Sequence, residues 1–397
     1  MSARPEPTSP PRASTLAPLY LAGFTTAFGA HGVATALGVE AGDLGLSLLA
    51  FGVVLALYDL AEVVLKPVFG TLSDRVGVKP VIVSGLMVFA LASLLAAVSP
   101  TPVVVAIARL AQGAGAAAFS PSASSAVARL AGTERLGRYF GRYGAWKSIG
   151  YAAGPLLGAL LVSVAGLSAL YLFLAALAVA TTTWVAVAVP ALPVLPRPRY
   201  TLADLVRQTT ERGFLIPTLA LATTTALLGV AVGYLPLLGT REGLPPLAAA
   251  GAVAVLAAVS AVAQPLAGRL RDSGRLPVRV GVSAALLVGA AALLLLVWPS
   301  VVTVYASALL AGLTVGVATP LAYAHLAAVT PPERMGRTMG NAELGRELGD
   351  AGGPLIVGAI GSAAGVAAGV GVLALLTVGA AGVSAAGLRA STSTRGR

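Results

Sequence analysis

The sequence predicts an all-α integral membrane protein, with twelve transmembrane helices set out as two pseudo-symmetric bundles of six. Three observations carry that expectation. Of the 397 residues, 57% are hydrophobic and only 10% charged, whereas about a quarter are charged in soluble domains. Apolar runs of about 20 residues, the length that crosses a bilayer, recur from end to end. The 26 Lys and Arg crowd the tails and alternate loops, and the opposite loops hold only Arg241. This is the positive-inside bias, and it predicts both termini in the cytoplasm. Lastly, the chain is duplicated. Arg138, Gly141, Lys147, Gly150, Gly154 and Pro155 recur 199 residues on as Arg337, Gly340, Arg346, Gly349, Gly353 and Pro354, and Gly158 returns one residue out of register as Gly358.

Residues 1–14, rich in Pro and Ser, read as a disordered cytoplasmic tail. No signal-peptide cleavage site follows the first apolar run, which is therefore retained as helix 1. The N-terminal bundle spans 15–190. Helix 1 (15–38) carries His31, and helix 2 (about 45–69) carries Tyr58, Asp59, Glu62 and Lys66. An inner loop then runs from Gly70 to Lys79. Helix 3 (79–99) ends at Pro100-Thr101-Pro102, and helix 4 (102–128) carries Arg109. Helix 5 is the stretch from Arg138 to Ala159. Its Gly150, Gly154 and Gly158 fall every fourth residue, within about 80° of one another. Such a stripe admits close approach by another helix, which is what drives association in lipid. Helix 6 covers about 168–190.

Residues 191–213, with three prolines and several arginines, form the predicted cytoplasmic linker. The C-terminal bundle, 214–388, repeats the pattern in helices 7 (214–239), 8 (245–268), 9 (278–298), 10 (301–328), 11 (339–362) and 12 (364–388), followed by a tail at 389–397. Gly and Pro inside these helices are tolerated because neighbours in a membrane re-satisfy the freed backbone groups.

Composition excludes several functions. With no cysteine there are no disulfides or thiolate metal sites, and the two histidines, His31 and His325, stand far apart. No metal or other cofactor is expected. The net charge of +11 is accounted for by topology, so nucleic acid is not an expected partner. No nucleotide-binding loop is present, which argues against ATP as an energy source in this chain.

Ionisable groups in hydrocarbon cost roughly 2.5–3.5 kcal/mol each, so they mark function by default. On helix 2, Asp59, Glu62 and Lys66 share about 60° of one face. On helix 11, Glu343, Arg346, Glu347 and Asp350 share about 100°. Asp59 and Asp350 are the deepest and the least obviously paired, so they head the proton carriers, with Glu62 and Glu347 behind. The plain alternative is a static network that only offsets its own burial. Lys147 lies on the glycine face, placed to pair with Asp59 or Glu62 or to touch substrate. His31, Tyr58, Tyr143, Trp146, Tyr151 and Tyr323 are candidate cavity residues; Trp184 and Trp298, near helix ends, read as interfacial anchors.

Three motifs converge on a family. Gly70-x-Leu72-Ser73-Asp74-Arg75-x-Gly77, Arg109-x-x-Gln112-Gly113-x-Gly115 and the helix 5 run Gly141, Gly150, Gly154-Pro155 and Gly158 resemble the helix 2–3, helix 4 and helix 5 signatures of the major facilitator superfamily. The last is similar to that of its drug:proton antiporters. A worn copy of the first motif stands at Gly268-Arg269-Leu270-Arg271-Asp272. Val78 and Ala159 depart from the family pattern, at a usual basic residue and a usual glycine. The resemblance implies two six-helix bundles rocking about a midplane site, with helices 2 and 11 meeting between the halves. Depths counted at 1.5 Å per residue then allow Lys66 to meet Glu343 or Glu347, and Glu62 to meet Arg346, as an interdomain gate. The resemblance also associates Arg109 with proton transfer and makes Asp74 and Arg75 latch residues.

The expected function is secondary active transport by alternating access: proton-coupled efflux of a small amphiphilic compound from a cytoplasmic (inner) membrane, by a monomer. The proton gradient is the expected energy source. Uptake or uniport of a polar or anionic metabolite is the rival, and a membrane-embedded sensor or enzyme a remote third.

Overall fold

The computed structural model describes residues 13–40, 44–45, 48–194 and 210–388. These residues are almost wholly helical, in the order α1 (Ala13–Glu40), α2 (Leu48–Val76), α3 (Val78–Val98) and α4 (Pro102–Ala131), then one helical stretch, Leu136–Ala188. Gly166 divides that stretch. Its φ of 78° and ψ of 172° lie where L side chains rarely go, so it breaks the segment into α5 (136–165) and α6 (167–188). The second half contains α7 (Arg212–Arg241), α8 (Pro246–Asp272), α9 (Val278–Leu295), α10 (Val301–Val329), a 3₁₀ turn at Pro332–Arg334, α11 (Met335–Ala364) and α12 (Val366–Gly387). The twelve predicted helices are all present. The predicted tails and most of the linker fall on 1–12, 195–209 and 389–397, outside the described residues.

The ends are set by local chemistry. Thr101 caps α4 by accepting from Val104 N, with Pro102 in the first helical position. Ser300 and Thr303 form a reciprocal capping box on α10. One predicted boundary is corrected. The inner loop expected from Gly70 to Lys79 is helix as far as Val76, and the turn is Gly77 alone, at φ 98°. Thr71 and Ser73 turn their hydroxyls back to Pro67 O and Gly70 O, so the polar run sits inside a helix without exposing backbone.

Eight described stretches are long and apolar enough to cross a bilayer by length and composition; α2 and α11, which carry the internal charges, are not among them. The packing repeats between halves. In the first, α1 lies on α5, α2 on α4, and α3 on α4; in the second, α7 lies on α11, α8 on α10, and α9 on α10. Across the halves, α2 packs on α11 and α5 on α8. The glycine stripe of α5 serves the inner contact. A methyl on Gly150, Gly154 or Gly158 would come within 2.7–2.9 Å of Phe24 O, Phe28 O or Gly32 O of α1. Gly349 and Gly353 of α11 meet α7 in the same way, at Ala222 and Ala226.

Candidate functional site

The two halves are joined near the face where α1 begins and α12 ends. There the C-terminal end of α2 meets the N-terminal end of α11. The Asp74 carboxylate accepts hydrogen bonds from Gly336 N at 2.7 Å and Arg337 N at 2.9 Å. These are the orphan donors at the start of a helix, whose dipole favours an anion. The other seam is built alike. Asp272, at the end of α8, accepts from Gly137 N at 2.9 Å and Arg138 N at 2.7 Å at the start of α5. Glycines allow both approaches: a methyl on Gly70 would lie 2.5 Å from Gly336 O, and Gly137 abuts Gly268 O as closely. The sequence reading named Asp74 but passed over Asp272. The signal was there, in the worn motif 198 residues on. Arg75, paired with Asp74 in that reading, is exposed and forms no hydrogen bond or ion pair among the described residues.

Deeper, Lys66 is almost fully buried, at 1% exposure. Its ammonium lies 2.5 Å from Glu347, 3.1 Å from Glu62 and 3.7 Å from Glu343. Glu343 also receives Arg346 at 3.3 Å and the Tyr323 hydroxyl at 2.5 Å. The structure therefore brings Lys66 against both helix 11 carboxylates. It does not form the Glu62–Arg346 pair: each takes a partner one turn away on its own helix, where no second helix need be positioned. On the other seam the equivalent positions are neutral. Gln264 donates to Ser148 at 2.8 Å and Ser260 at 3.1 Å, and the two serines lie 3.2 Å apart.

Beyond these seams lie two spaces that share lining residues, Asp59, Lys147 and Asp350 among them. One, of about 340 Å³, runs between the halves, with Val63, Leu228, Val232, Val253, Leu256 and Val315 as apolar wall. His31, Asp59, Lys147, Tyr151, Tyr323, Arg346, Glu347 and Asp350 also reach it. A more polar space of about 220 Å³ lies toward α2 and α4, bounded by Tyr58, Asp59, Glu62, Lys66, Arg109 and Lys147 among others.

The helix 4 motif explains itself by contact. Gly113 lets α4 approach Tyr58 of α2, Gly115 abuts Gly85 of α3, and Gln112 donates to Ser93 at 2.9 Å. Arg109, 2% exposed, stacks its guanidinium 4.3 Å from the Tyr58 ring centre, with Nε and Nη1 lacking hydrogen-bond partners. Tyr58 is thus covered by Arg109. His31 stacks on Tyr151 at 4.6 Å, and Tyr323 on Phe140 at 5.5 Å across the halves. Trp146 is 41% exposed and touches Phe24, outside the cavity lining where the sequence reading had considered it. Trp184 and Trp298 are exposed too, as anchors in an interface would be.

Among the described residues, Asp59 and Asp350 form no hydrogen bond and no ion pair. Lys147 meets neither Asp59 nor Glu62 as a salt bridge; it donates to Ser120 at 3.4 Å and faces the Tyr143 ring at 5.8 Å. The site thus sets apolar walls beside groups able to exchange a proton or a counter-charge.

The sequence model of the Major Facilitator Superfamily matches residues 19–299 and 252–396. Over 137 residues the chain is 35% identical to the inner membrane transport protein YajR of Escherichia coli, covering 34% of this chain and 30% of that protein. Over 104 residues it is 41% identical to the methylenomycin A resistance protein of Bacillus subtilis, covering 26% and 22%. The aligned stretches thus span less than half the length of these curated relatives. In structure, the fucose:proton symporter FucP of Escherichia coli matches with a TM-score of 0.79 over 95% of this chain and 98% of that one, at 16% identity. That likeness is one of fold.

Proposed function

The chain belongs to the major facilitator superfamily and is a membrane transporter, and from that premise we propose that it exports a small amphiphilic compound in exchange for protons. Asp59 and Asp350 carry this reading: two carboxylates in a largely apolar cavity, neither in a salt bridge among the described residues. An acid that lines a cavity between helices without a salt-bridge partner is a place for a proton or for a cationic group of a substrate, and the two compete. That competition is what exchange requires. Resistance proteins among the relatives, to methylenomycin A in Bacillus subtilis and to tetracycline in Pasteurella multocida, support export.

The geometry supports the following cycle. The face carrying the latches is cytoplasmic if the positive-inside bias holds, so the conformation described is closed to the cytoplasm. Protons entering from outside neutralise Asp59 and Asp350. Weakening of the Lys66 cluster and of the Asp74 and Asp272 latches then lets the halves rock, exposing the cavity to substrate inside. The protein works as a monomer in the cytoplasmic membrane, with the proton gradient as its energy source and no cofactor.

The test is accumulation of a panel of lipophilic cations and antibiotics in pump-deficient cells expressing the chain, with and without an uncoupler. Lowered accumulation that the uncoupler abolishes, and that Asp59→Asn or Asp350→Asn removes, is expected. Lys147, a cavity ammonium with no carboxylate partner, favours a second reading in which an anionic metabolite is taken up. Raised accumulation of anionic solutes in the same assay would establish that reading instead.

A further inference from the structure

The internal duplication shows where the cavity has been left unbalanced. Lys147 on α5 and Arg346 on α11 are equivalent positions, 199 residues apart. Arg346 has its counter-ion one turn earlier, Glu343 at 3.3 Å. The position equivalent to Glu343 is Gly144, so α5 keeps the cation and lacks the acid. Lys147 reaches both cavity spaces with Ser120, at 3.4 Å, as its hydrogen-bond partner. Asp350 stands at the position equivalent to Tyr151, and there α11 has an acid without a cation. The cavity therefore offers, among the described residues, an ammonium in no salt bridge on one half's wall and a carboxylate in no salt bridge on the other's. The same cavity has an apolar surface that includes Leu228, Val232 and Leu256.

We propose that the compound held in this cavity is a zwitterionic amphiphile, its carboxylate docked on Lys147 and its protonated amine on Asp350. The inference rests on the cavity being the substrate site of the transporter read above. Its physical basis is what happens when the halves close. An amphiphilic monocation would pair with Asp350 and leave Lys147 buried without a partner. A monoanion would do the reverse. Leaving a charged group unsatisfied as water is expelled is costly, and a molecule bearing both charges leaves neither. Asp59, on α2, stays available to the proton. A cavity of about 340 Å³ falls in the range of small-molecule sites.

Binding to the full-length protein in lipid nanodiscs tests the proposal with four molecules of one skeleton. These are 4′-(aminomethyl)biphenyl-4-carboxylic acid, its methyl ester, its N-acetyl derivative, and the doubly blocked compound; the phenyl analogues repeat the set with a shorter body. Charge-assisted hydrogen bonds to both ends predict that the zwitterion binds about tenfold or more tightly than either singly blocked form. Lys147→Met should bring the zwitterion and its ester to one level, the zwitterion weakening as it loses its docking cation and the ester tightening as it no longer leaves an ammonium unsatisfied, and Lys147→Arg should restore the difference. Asp350→Asn should bring the zwitterion down to its N-acetyl form. An ester as tight as the zwitterion and indifferent to Lys147→Met would overturn the proposal in favour of a monocation site. Tightest binding by the N-acetyl form would overturn it in favour of an anion site, and absence of binding by every form would reject it outright. Because binding is read without a gradient, loss of uncoupler-sensitive export in cells would count against the export reading alone.

Discussion

Asp74 and Asp272 hold equivalent places on opposite seams, each with both oxygens on two backbone amides at the start of the facing helix. Replacing either carboxylate by an amide keeps the shape but removes the charge, costing about 1–2 kcal/mol per latch. The population should then move about 5- to 30-fold toward the state open at that face. The chain has no cysteine, so single introduced cysteines in the cavity report accessibility without background. Asp272→Asn should raise labelling from the cytoplasmic side as strongly as Asp74→Asn does; an effect of Asp74→Asn alone would make the α5–α8 latch ornamental. Asp272 was visible in the sequence only as the survivor of a degraded motif. The decay of its neighbours hides that Asp272 still carries the motif's chemistry. Lys66 was placed against helix 11 by counting depth along two helices, because a buried ammonium must find carboxylates at its own level. Glu62–Arg346 failed on the same arithmetic. Depth says which groups could meet, and says nothing of Lys66 and Glu343 lying one turn away on the same helices.

Helix α5 is asked to do two things at once. Its Gly150, Gly154 and Gly158 seat it on α1 inside one bundle, while Gly141 and Gly144 face Gln264 of α8 in the other. The two jobs separate by substitution. Gly154→Leu drives a side chain into the α1 backbone and should destabilise the bundle by about 1–3 kcal/mol, seen as a fall in thermal midpoint in detergent. Gly141→Leu presses on the joint between halves. It should leave the midpoint within a few degrees, yet shift cavity labelling toward the opened latch face. Equal loss of midpoint in both variants would mean that the α5–α8 joint is as permanent as the α1–α5 one. The sequence disclosed the stripe and its need for a close neighbour. It could not say which neighbour, since a glycine face admits any helix the fold delivers. Likewise, the polar run at 70–76 looked like a loop because hydropathy reports exposure, and the helix there continues into the latch past the point where apolarity ends.

Across the whole molecule the two seams share one backbone plan and differ in charge. Positions 62, 66, 343 and 347 on α2 and α11 hold Glu, Lys, Glu and Glu; their equivalents on α8 and α5, at 260, 264, 144 and 148, hold Ser, Gln, Gly and Ser. At these four positions a proton can therefore act on one seam and not on the other, while each seam keeps one latch carboxylate, Asp74 or Asp272. While the carboxylates are charged, Lys66 binds Glu62, Glu343 and Glu347 together. As pH falls and they are neutralised, that attraction is lost, and the Gln264–Ser148–Ser260 bonds are unaffected. Spin labels at exposed or half-buried ends measure each seam separately: Val76 with Glu333 across α2–α11, and Glu134 with Ser273 across α5–α8. On lowering pH the first pair should lengthen or broaden at a higher pH than the second. Lys66→Gln, which makes the charged seam more like its neutral counterpart but leaves three acids without their cation, should be less stable than the parent at neutral pH by about 3–5 kcal/mol. Acid should restore part of that loss, because neutral carboxyls no longer repel one another. Two seams that open together at one pH, with Lys66→Gln indifferent to acid, would mean that the charges only fill the space they occupy. Seams that open in sequence would make the duplicated fold an asymmetric machine, with a cluster of titratable groups behind one latch and neutral side chains behind the other.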